Sequence, residues 1–307
     1  MEKYIAQIKQ ILAKTKWTQT ELAAELGVSF PTVNRWLNAR TKPHSTQLRQ
    51  IERLYKNIFG IAPLSKEALA ETLEKVKKKR IKFRYIGKFL RDDPIRNDFL
   101  LELTYHSDAI EGSTLTKKET EAVIFDKATI KDKDLIEHLE ASNHAAILKN
   151  IFDGKITGPV TEELIRELHK LLMQGIREDA GEYSMHPRAI RGVDLVLPHP
   201  WDIPEEMQSL CRKINTFRHE PIEHVARMHA DFEAIHPFGD GNGRVGRLIM
   251  IIQLIEKNLA PSVISVGSKA QYYEYLEYAQ KKSVSHFVKF LAESVLEGYK
   301  IIEKYAK

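Results

Sequence analysis

Apolar residues recur with the spacing of a helix along most of this chain. Thr161 to Gln174 sets Leu164, Leu168, Leu171 and Leu172 on one side. Val245 to Glu256 is almost wholly apolar, as a buried central helix would be. Phe287 to Ile302 is a third amphipathic stretch. A strand pattern shows best between Arg188 and Leu197, where Ile190, Val193, Leu195 and Val196 surround Gly192 before Pro198 and Pro200. The pattern predicts a mainly α protein with one small β-hairpin.

Near the N-terminus the pattern is finer. Thr18 and Glu21 have the spacing of a capping box, and Leu22, Ala23 and Leu26 form an inner face. Gly27 supplies a tight turn, Ser29 is placed to cap the next helix, and Pro31 suits its first turn. Val33, Trp36 and Leu37 then point inward, with Phe30, Thr32, Asn34 and Arg35 outward. Leu48, Ile51 and Leu54 are expected to close the bundle. This is the geometry of a helix-turn-helix, whose second helix shows polar and guanidinium groups to base edges. A small bundle that contacts protein would share the pattern. Next comes a basic run, Lys75, Lys77, Lys78, Lys79, Arg80, Lys82, Arg84 and Lys88, read as a solvated connecting helix from Ser65 to about Phe89. The expected organisation is a helix-turn-helix domain over 1–62, a basic linker helix over 63–93, and a helical domain over 94–307.

Composition adds bounds. A chain of 307 residues is long enough for two or three domains. The formal net charge of +5 is compatible with nucleic acid but does not require it. No apolar run approaches a membrane span, and Met1-Glu2-Lys3-Tyr4 does not read as a secretory leader. Cys211 is the single cysteine, which excludes an internal disulfide and suits a reducing cytoplasm.

Candidate chemistry concentrates in His236-Pro237-Phe238-Gly239-Asp240-Gly241-Asn242-Gly243-Arg244-Val245-Gly246-Arg247. A helix starting near Asn242 would present unpaired N–H groups to an anion, and Gly241 and Gly243 would let it approach. Arg244 and Arg247 lie within one helical turn, so two guanidiniums can fork to phosphates. Asp240 among these cations suits Mg²⁺ bridging one carboxylate to phosphate oxygens. His236 stands where a general base would receive a hydroxyl proton. Zinc is not expected, because His236 has no partner at ligand spacing.

This run resembles the signature of the Fic family, over roughly Pro94 to Lys307. The resemblance implies transfer of AMP from Mg·ATP to a Ser, Thr or Tyr hydroxyl of a target protein or of the chain itself. It implies His236 as base, Phe238 as loop anchor within the nucleotide site, Asp240 on Mg²⁺, Gly241 and Gly243 as the anion hole, Asn242 and Arg244 on the α- and β-phosphates, and Arg247 on the γ-phosphate. Ser107-Asp108-Ala109-Ile110-Glu111-Gly112 resembles the family's inhibitory motif. It implies a helix near 103–112 on which Glu111, one turn from Ser107, pairs with Arg247 and blocks the γ-phosphate site. The hairpin around 188–197 corresponds to a flap that holds a target segment. Tyr273, Leu276 and Gln280 match the adenine pocket, although Gln280, Lys269, Ser184 and Gly239 depart from the residues usual in relatives.

The N-terminal pattern resembles the Cro/CI (XRE) helix-turn-helix over about Ile5 to Leu54. By that analogy Gln19 meets phosphate, and Phe30, Thr32 and Arg35 lie near bases. A homodimer is expected if the module acts on operators. Two rival readings stay open: a DNA-binding regulator whose Fic core senses nucleotide, and an enzyme that removes AMP with the help of Glu111.

Overall fold

The computed structural model describes residues 2–61, 64–188, 195–216, 220–281 and 283–306. Among the described residues the chain is helical and holds no strand. Six residues of the expected hairpin, 189–194, lie outside the described residues, and the flanking 195–199 is not a strand. The chain divides into two compact units, Met1–Leu64 and Ser65–Lys307.

The first unit holds α1 (Lys3–Thr15), α2 (Gln19–Glu25), α3 (Phe30–Leu37) and α4 (Ser45–Phe59). The capping box is present. Thr18 Oγ1 accepts from the Glu21 amide at 3.2 Å, and Glu21 Oε2 accepts from the Thr18 amide at 2.7 Å. Gly27 has φ +62° with open space around it, so backbone conformation is what asks for glycine there. Ile8, Ile11, Leu22, Val33, Trp36 and Ile51 form the core. Two expectations need correction. Leu48 is exposed, because Ile51 and the half-buried Leu54 already fill the seam against α1. Ser29 precedes α3 but makes no side-chain cap; its hydroxyl pairs with Thr32 Oγ1 at 2.9 Å.

The second unit holds α5 (Lys66–Lys82), α6 (Ile86–Leu90), α7 (Asp93–Glu111), α8 (Lys117–Glu121), α9 (Leu135–Phe152), α10 (Glu162–Leu172), α11 (Ile203–Asn215), α12 (Pro221–Ile235), α13 (Asn242–Glu256), α14 (Lys269–Lys281) and α15 (Ser285–Tyr305). Helix α13 is the central one, buried on nearly every side from Asn242 to Leu254. Helix α12 lies directly on it, because Gly246 leaves room: a Cβ there would stand 2.6 Å from Glu233 Oε1 and 3.0 Å from the Phe232 ring.

The basic segment is less of a linker than expected. It breaks at Phe83 into α5 and α6, and α5 packs along α15. Val76 and Phe83 are buried, Phe83 stacks on Tyr299 at 5.8 Å, and Lys79 pairs with Glu303. Lys75 and Lys77 remain outward, paired with Glu71 and Glu74 one turn back.

Helix α15 crosses the chain closely at Gly298, where a Cβ would collide with the carbonyl oxygen of Pro261. The Pro261 carbonyl is backbone, so only a shift of the helix or of that chain segment relieves the overlap. Gly298→Ala should therefore destabilise the second unit by about 1–3 kcal/mol, as overpacking does. Calorimetry should show its transition lowered by about 2–4 °C per kcal/mol, with that of the first unit unchanged. An unaltered second transition would mean that α15 can move away freely.

Candidate phosphate-binding site

The loop between α12 and α13 is tied down at each end and in its middle. His236 takes φ +51° as the C-cap of α12, with its amide on the Phe232 carbonyl at 3.0 Å. A non-glycine residue in that region is strained and persists only where its surroundings hold it. Phe238 does much of that holding. It is fully buried and stacked on the His169 ring at 3.8 Å and 5°. Asn242 closes the loop on itself: Oδ1 accepts from the Phe238 amide at 2.9 Å, and Nδ2 donates to the Phe238 carbonyl at 2.8 Å. Gly241, at φ +78°, turns the chain into α13, and its amide donates to Asp240 Oδ1 at 2.6 Å. Phe238 anchors the loop from the core beneath it. Both functional ends of the Asn242 amide already engage the backbone, so it shapes the loop.

The two arginines leave α13 toward different neighbours. Arg244, only 2 % exposed, ion-pairs with Glu140 of α9 and lies 4.0 Å from Asp240 Oδ1 and 3.9 Å from Met173 Sδ. Arg247, 5 % exposed, turns to α7. Its Nε donates to Ser107 Oγ at 3.0 Å, and one terminal nitrogen donates to the Ser107 carbonyl at 3.0 Å and to Glu111 Oε1 at 2.7 Å. Ser107 and Glu111 sit one turn apart at the end of α7, which stops at Gly112 with φ +117°. The Glu111 carboxylate lies against the first turn of α13, where a Cβ at Gly243 would overlap Oε1. It thus occupies a helix N-terminus, the place a phosphate would favour.

The electrostatics follow from burial and these pairings. Burial works to raise the Glu111 carboxyl, but Arg247, aided by Arg244 and Lys269, holds it below its ordinary value. Asp108 is fully enclosed with no hydrogen bond to either oxygen. Burial pushes it up to about 7, opposed by Arg244 and Arg247 and reinforced by Glu140 and Glu111. Burial likewise takes Glu233 to about 8. For His236, burial and then the Arg188 charge bring the imidazole down to about 4, against upward pulls from the Glu233 backbone, Glu111 and Asp240. Its Nδ1 lies 3.8 Å from Glu233 Oε2.

The residues expected to hold a base lie on α14. Tyr273 directs its hydroxyl toward Glu111 Oε2 at 3.5 Å, and Leu276 is buried nearby. Gln280 donates to the Ala230 carbonyl at 3.3 Å, so its amide braces α14 on α12. Tyr272 belongs to the core, its hydroxyl 2.7 Å from His229 Nε2.

Several participants carry no motif of their own. His169, Met173 and Glu140 meet the loop from distant sequence positions, and nothing local marks them. Glu233 precedes His236 by one helical turn, a spacing that was available to read. Among the described residues no three His, Cys, Asp or Glu side chains gather to hold a metal. Asp240, its side chain 60 % exposed, is therefore a lone carboxylate, enough for an ion carried mainly by phosphates. Cys211 is buried with its thiol pushed up to about 12 by burial, which leaves it unreactive. No helix among the described residues is long and apolar enough to cross a membrane.

In the first unit, Phe30 and Arg35 face outward, whereas Thr32 and Asn34 are half-buried. Gln19 Oε1 accepts from Asn34 Nδ2 at 3.2 Å, which fixes α2 to α3.

Comparison with known proteins fits this geometry. Residues 159–254 match the Fic/DOC family and residues 8–57 match a helix-turn-helix family. A protein adenylyltransferase Fic of Nematostella vectensis is 30% identical over 276 residues, 81% of this chain and 64% of that protein. The Drosophila melanogaster protein of the same name is 29% identical over 194 residues, 62% of this chain and 39% of that protein. The chain thus spans less than two thirds of the length of these relatives. Among solved structures, a Fic-domain protein from Bacteroides thetaiotaomicron superposes with TM-score 0.66 at 24% identity, covering 76% of this chain and 97% of that one. Fic-1 from C. elegans superposes with TM-score 0.65 at 22% identity, covering 93% of this chain and 84% of that one. The buried-arginine loop and the bundle that precedes it are accordingly a Fic/DOC-family domain and an N-terminal helix-turn-helix domain within one chain.

Proposed function

We propose that this chain transfers AMP from Mg·ATP to a hydroxyl of a target protein or of itself, and that Glu111 holds that activity down. The observation that carries the reading is Arg247, bound through three hydrogen bonds to Ser107 and Glu111 at the N-terminus of α13. A guanidinium edge whose Nε and one terminal nitrogen are already engaged by Ser107 and Glu111 cannot present those donors to a phosphate at the same time.

In this mechanism Glu111 withdraws and Arg247 turns to the γ-phosphate. Arg244 and the amides at the start of α13 hold the phosphates nearer the sugar. Asp240 would hold Mg²⁺, which would supply charge neutralisation to the phosphates when bound. His236 takes the proton from the incoming hydroxyl, whose oxygen bonds to the α-phosphorus. The bond from that phosphorus to the bridging oxygen breaks, and pyrophosphate leaves with its electron pair. The chain's contribution is placement and charge, with no covalent intermediate of its own. Tyr273 and Leu276 would border the base.

The helix-turn-helix favours DNA as a second partner through Gln19, Phe30, Thr32 and Arg35, with a homodimer suited to paired half-sites. A regulator that senses nucleotide and a Glu111-dependent AMP-removing enzyme are the rival functions, and both retain the same site.

Three outcomes test these readings. With α-labelled ATP and Mg²⁺, Glu111→Gly should label protein about 10- to 100-fold more than the natural sequence, since a charge-assisted hydrogen bond is worth about 1.5–3 kcal/mol. Glu111→Gly with His236→Ala should leave no label; equal labelling by the natural sequence and Glu111→Gly would remove the inhibitory role. The second outcome concerns pH. An imidazole at about 4 stays neutral as pH falls through the ordinary 6.5, so kcat/KM of Glu111→Gly should remain level there and drop only on approach to 4. The same depression makes the unfolded chain the stronger proton binder between those values, so stability declines as pH falls through that window. A kinetic midpoint near 6.5 would mean that burial does not depress the His236 imidazole, and loss of the low-pH limb altogether would remove His236 as the base. Third, Arg35→Ala should weaken binding to a duplex from the chain's own promoter by about 1–3 kcal/mol, as loss of one base contact does. Unchanged anisotropy titrations would take Arg35 away from the DNA.

A further inference from the structure

The structure assigns His169 as a positioning residue for Asp240: its neutral imidazole, protonated on Nε2, clamps the phosphate loop to the turn after α10. The inference rests on the proposed nucleotide-transfer reading for its purpose, but its geometry stands alone. The Gly181 amide donates to His169 Nδ1 at 2.8 Å. A nitrogen that accepts cannot carry a proton, so in the neutral ring the proton is on Nε2. That nitrogen lies 3.1 Å from the Asp240 carbonyl, which can only accept. One donor and one acceptor thus meet one acceptor and one donor. The charged ring would turn a second N–H onto the Gly181 amide and break the match.

The anchor point is itself fixed. Gly181 has φ +89° and presses on α10, where a Cβ would stand 3.1 Å from Lys170 Cβ and 3.3 Å from the Arg166 carbonyl. Its own carbonyl accepts from Arg166 Nε at 2.8 Å. The ring face of His169 is stacked on Phe238, two residues before Asp240. The Ser184 amide adds a further tie to the Pro237 carbonyl at 2.9 Å. Around Asp240 the loop is therefore held by its backbone, which leaves the carboxylate outward with one bond, from the Gly241 amide. Backbone restraint of this kind decides where the carboxylate points without touching any ligand.

Two measurements test the clamp. In the full-length natural chain, nitrogen-15 NMR of the imidazoles should show His169 as the Nε2-protonated tautomer; a proton on Nδ1 would overturn the assignment. In the Glu111→Gly background, Mn²⁺ binding in the presence of ADP is followed by electron paramagnetic resonance for His169→Phe and His169→Gln. Phenylalanine keeps the stack and loses both hydrogen bonds, while glutamine offers one acceptor and one donor. His169→Phe should bind Mn²⁺ about 10- to 100-fold more weakly, the usual effect of removing a group that orients a metal ligand. His169→Gln should recover most of the difference, and metal-free ADP binding should be equal in all three. Unchanged Mn²⁺ binding in His169→Phe, or equal loss in both variants, would overturn the positioning role. If the Glu111→Gly parent itself fails to bind Mn²⁺ and ADP, the nucleotide-transfer reading falls, and the tautomer still decides the clamp.

Discussion

A guanidinium enclosed by protein must be met by negative charge or by oxygen on its donors, and the second unit is arranged around two of them. Arg244 and Arg247 both belong to the first turns of the most buried helix, and neither reaches bulk water. Glu140 answers the first; Ser107 and Glu111 answer the second. Removing one member of a buried pair is commonly worse than never having had the pair, because the remaining charge is stranded. Helices α7 and α9 are therefore bound to α13 by more than apolar packing. The enclosed Asp108 and Glu233 lessen the same penalty another way, since burial raises both carboxyls, to about 7 and about 8, and so favours their protonated forms.

The loop is a second level of the same arrangement. Its own residues supply only part of its shape: the Asn242 amide and the Gly241 turn. The rest comes from α10 and the turn beyond it, through His169, Met173 and the 181–184 segment. The loop's charged residues are thus placed by contacts with the helices beneath it, which favours precise placement of charge.

What could be read from the sequence was local. The capping box at Thr18, the turn at Gly27, the buried character of 245–256 and the one-turn spacing of Ser107 and Glu111 all depend on neighbours within a few residues. Arg247 and Glu111 were paired through a motif resemblance, since periodicity says nothing about groups 136 positions apart. Where reading failed, competing partners were the reason. Ser29 found Thr32 instead of a backbone amide, Gln280 found the Ala230 carbonyl, and Leu48 lost its core place to neighbours on the same helix. His169 and Glu140 went unnoticed because a histidine or glutamate on an amphipathic helix looks ordinary until a remote loop lands on it.

The glycine at 243 has a consequence for rivalry at this site. Without a side chain, the first turn of α13 lets the Glu111 carboxylate approach at close range, where a phosphate would be equally suited. The two kinds of anion nevertheless arrive on unequal terms. A dissolved phosphate is present at whatever concentration the surroundings supply. The carboxylate of residue 111 is delivered by the fold, at an effective concentration set by the geometry of α7 and independent of dilution. On the proposed reading, occupancy of Arg247 is a contest between solution chemistry and chain architecture, and loosening the last turn of α7 would tilt it as surely as raising the nucleotide.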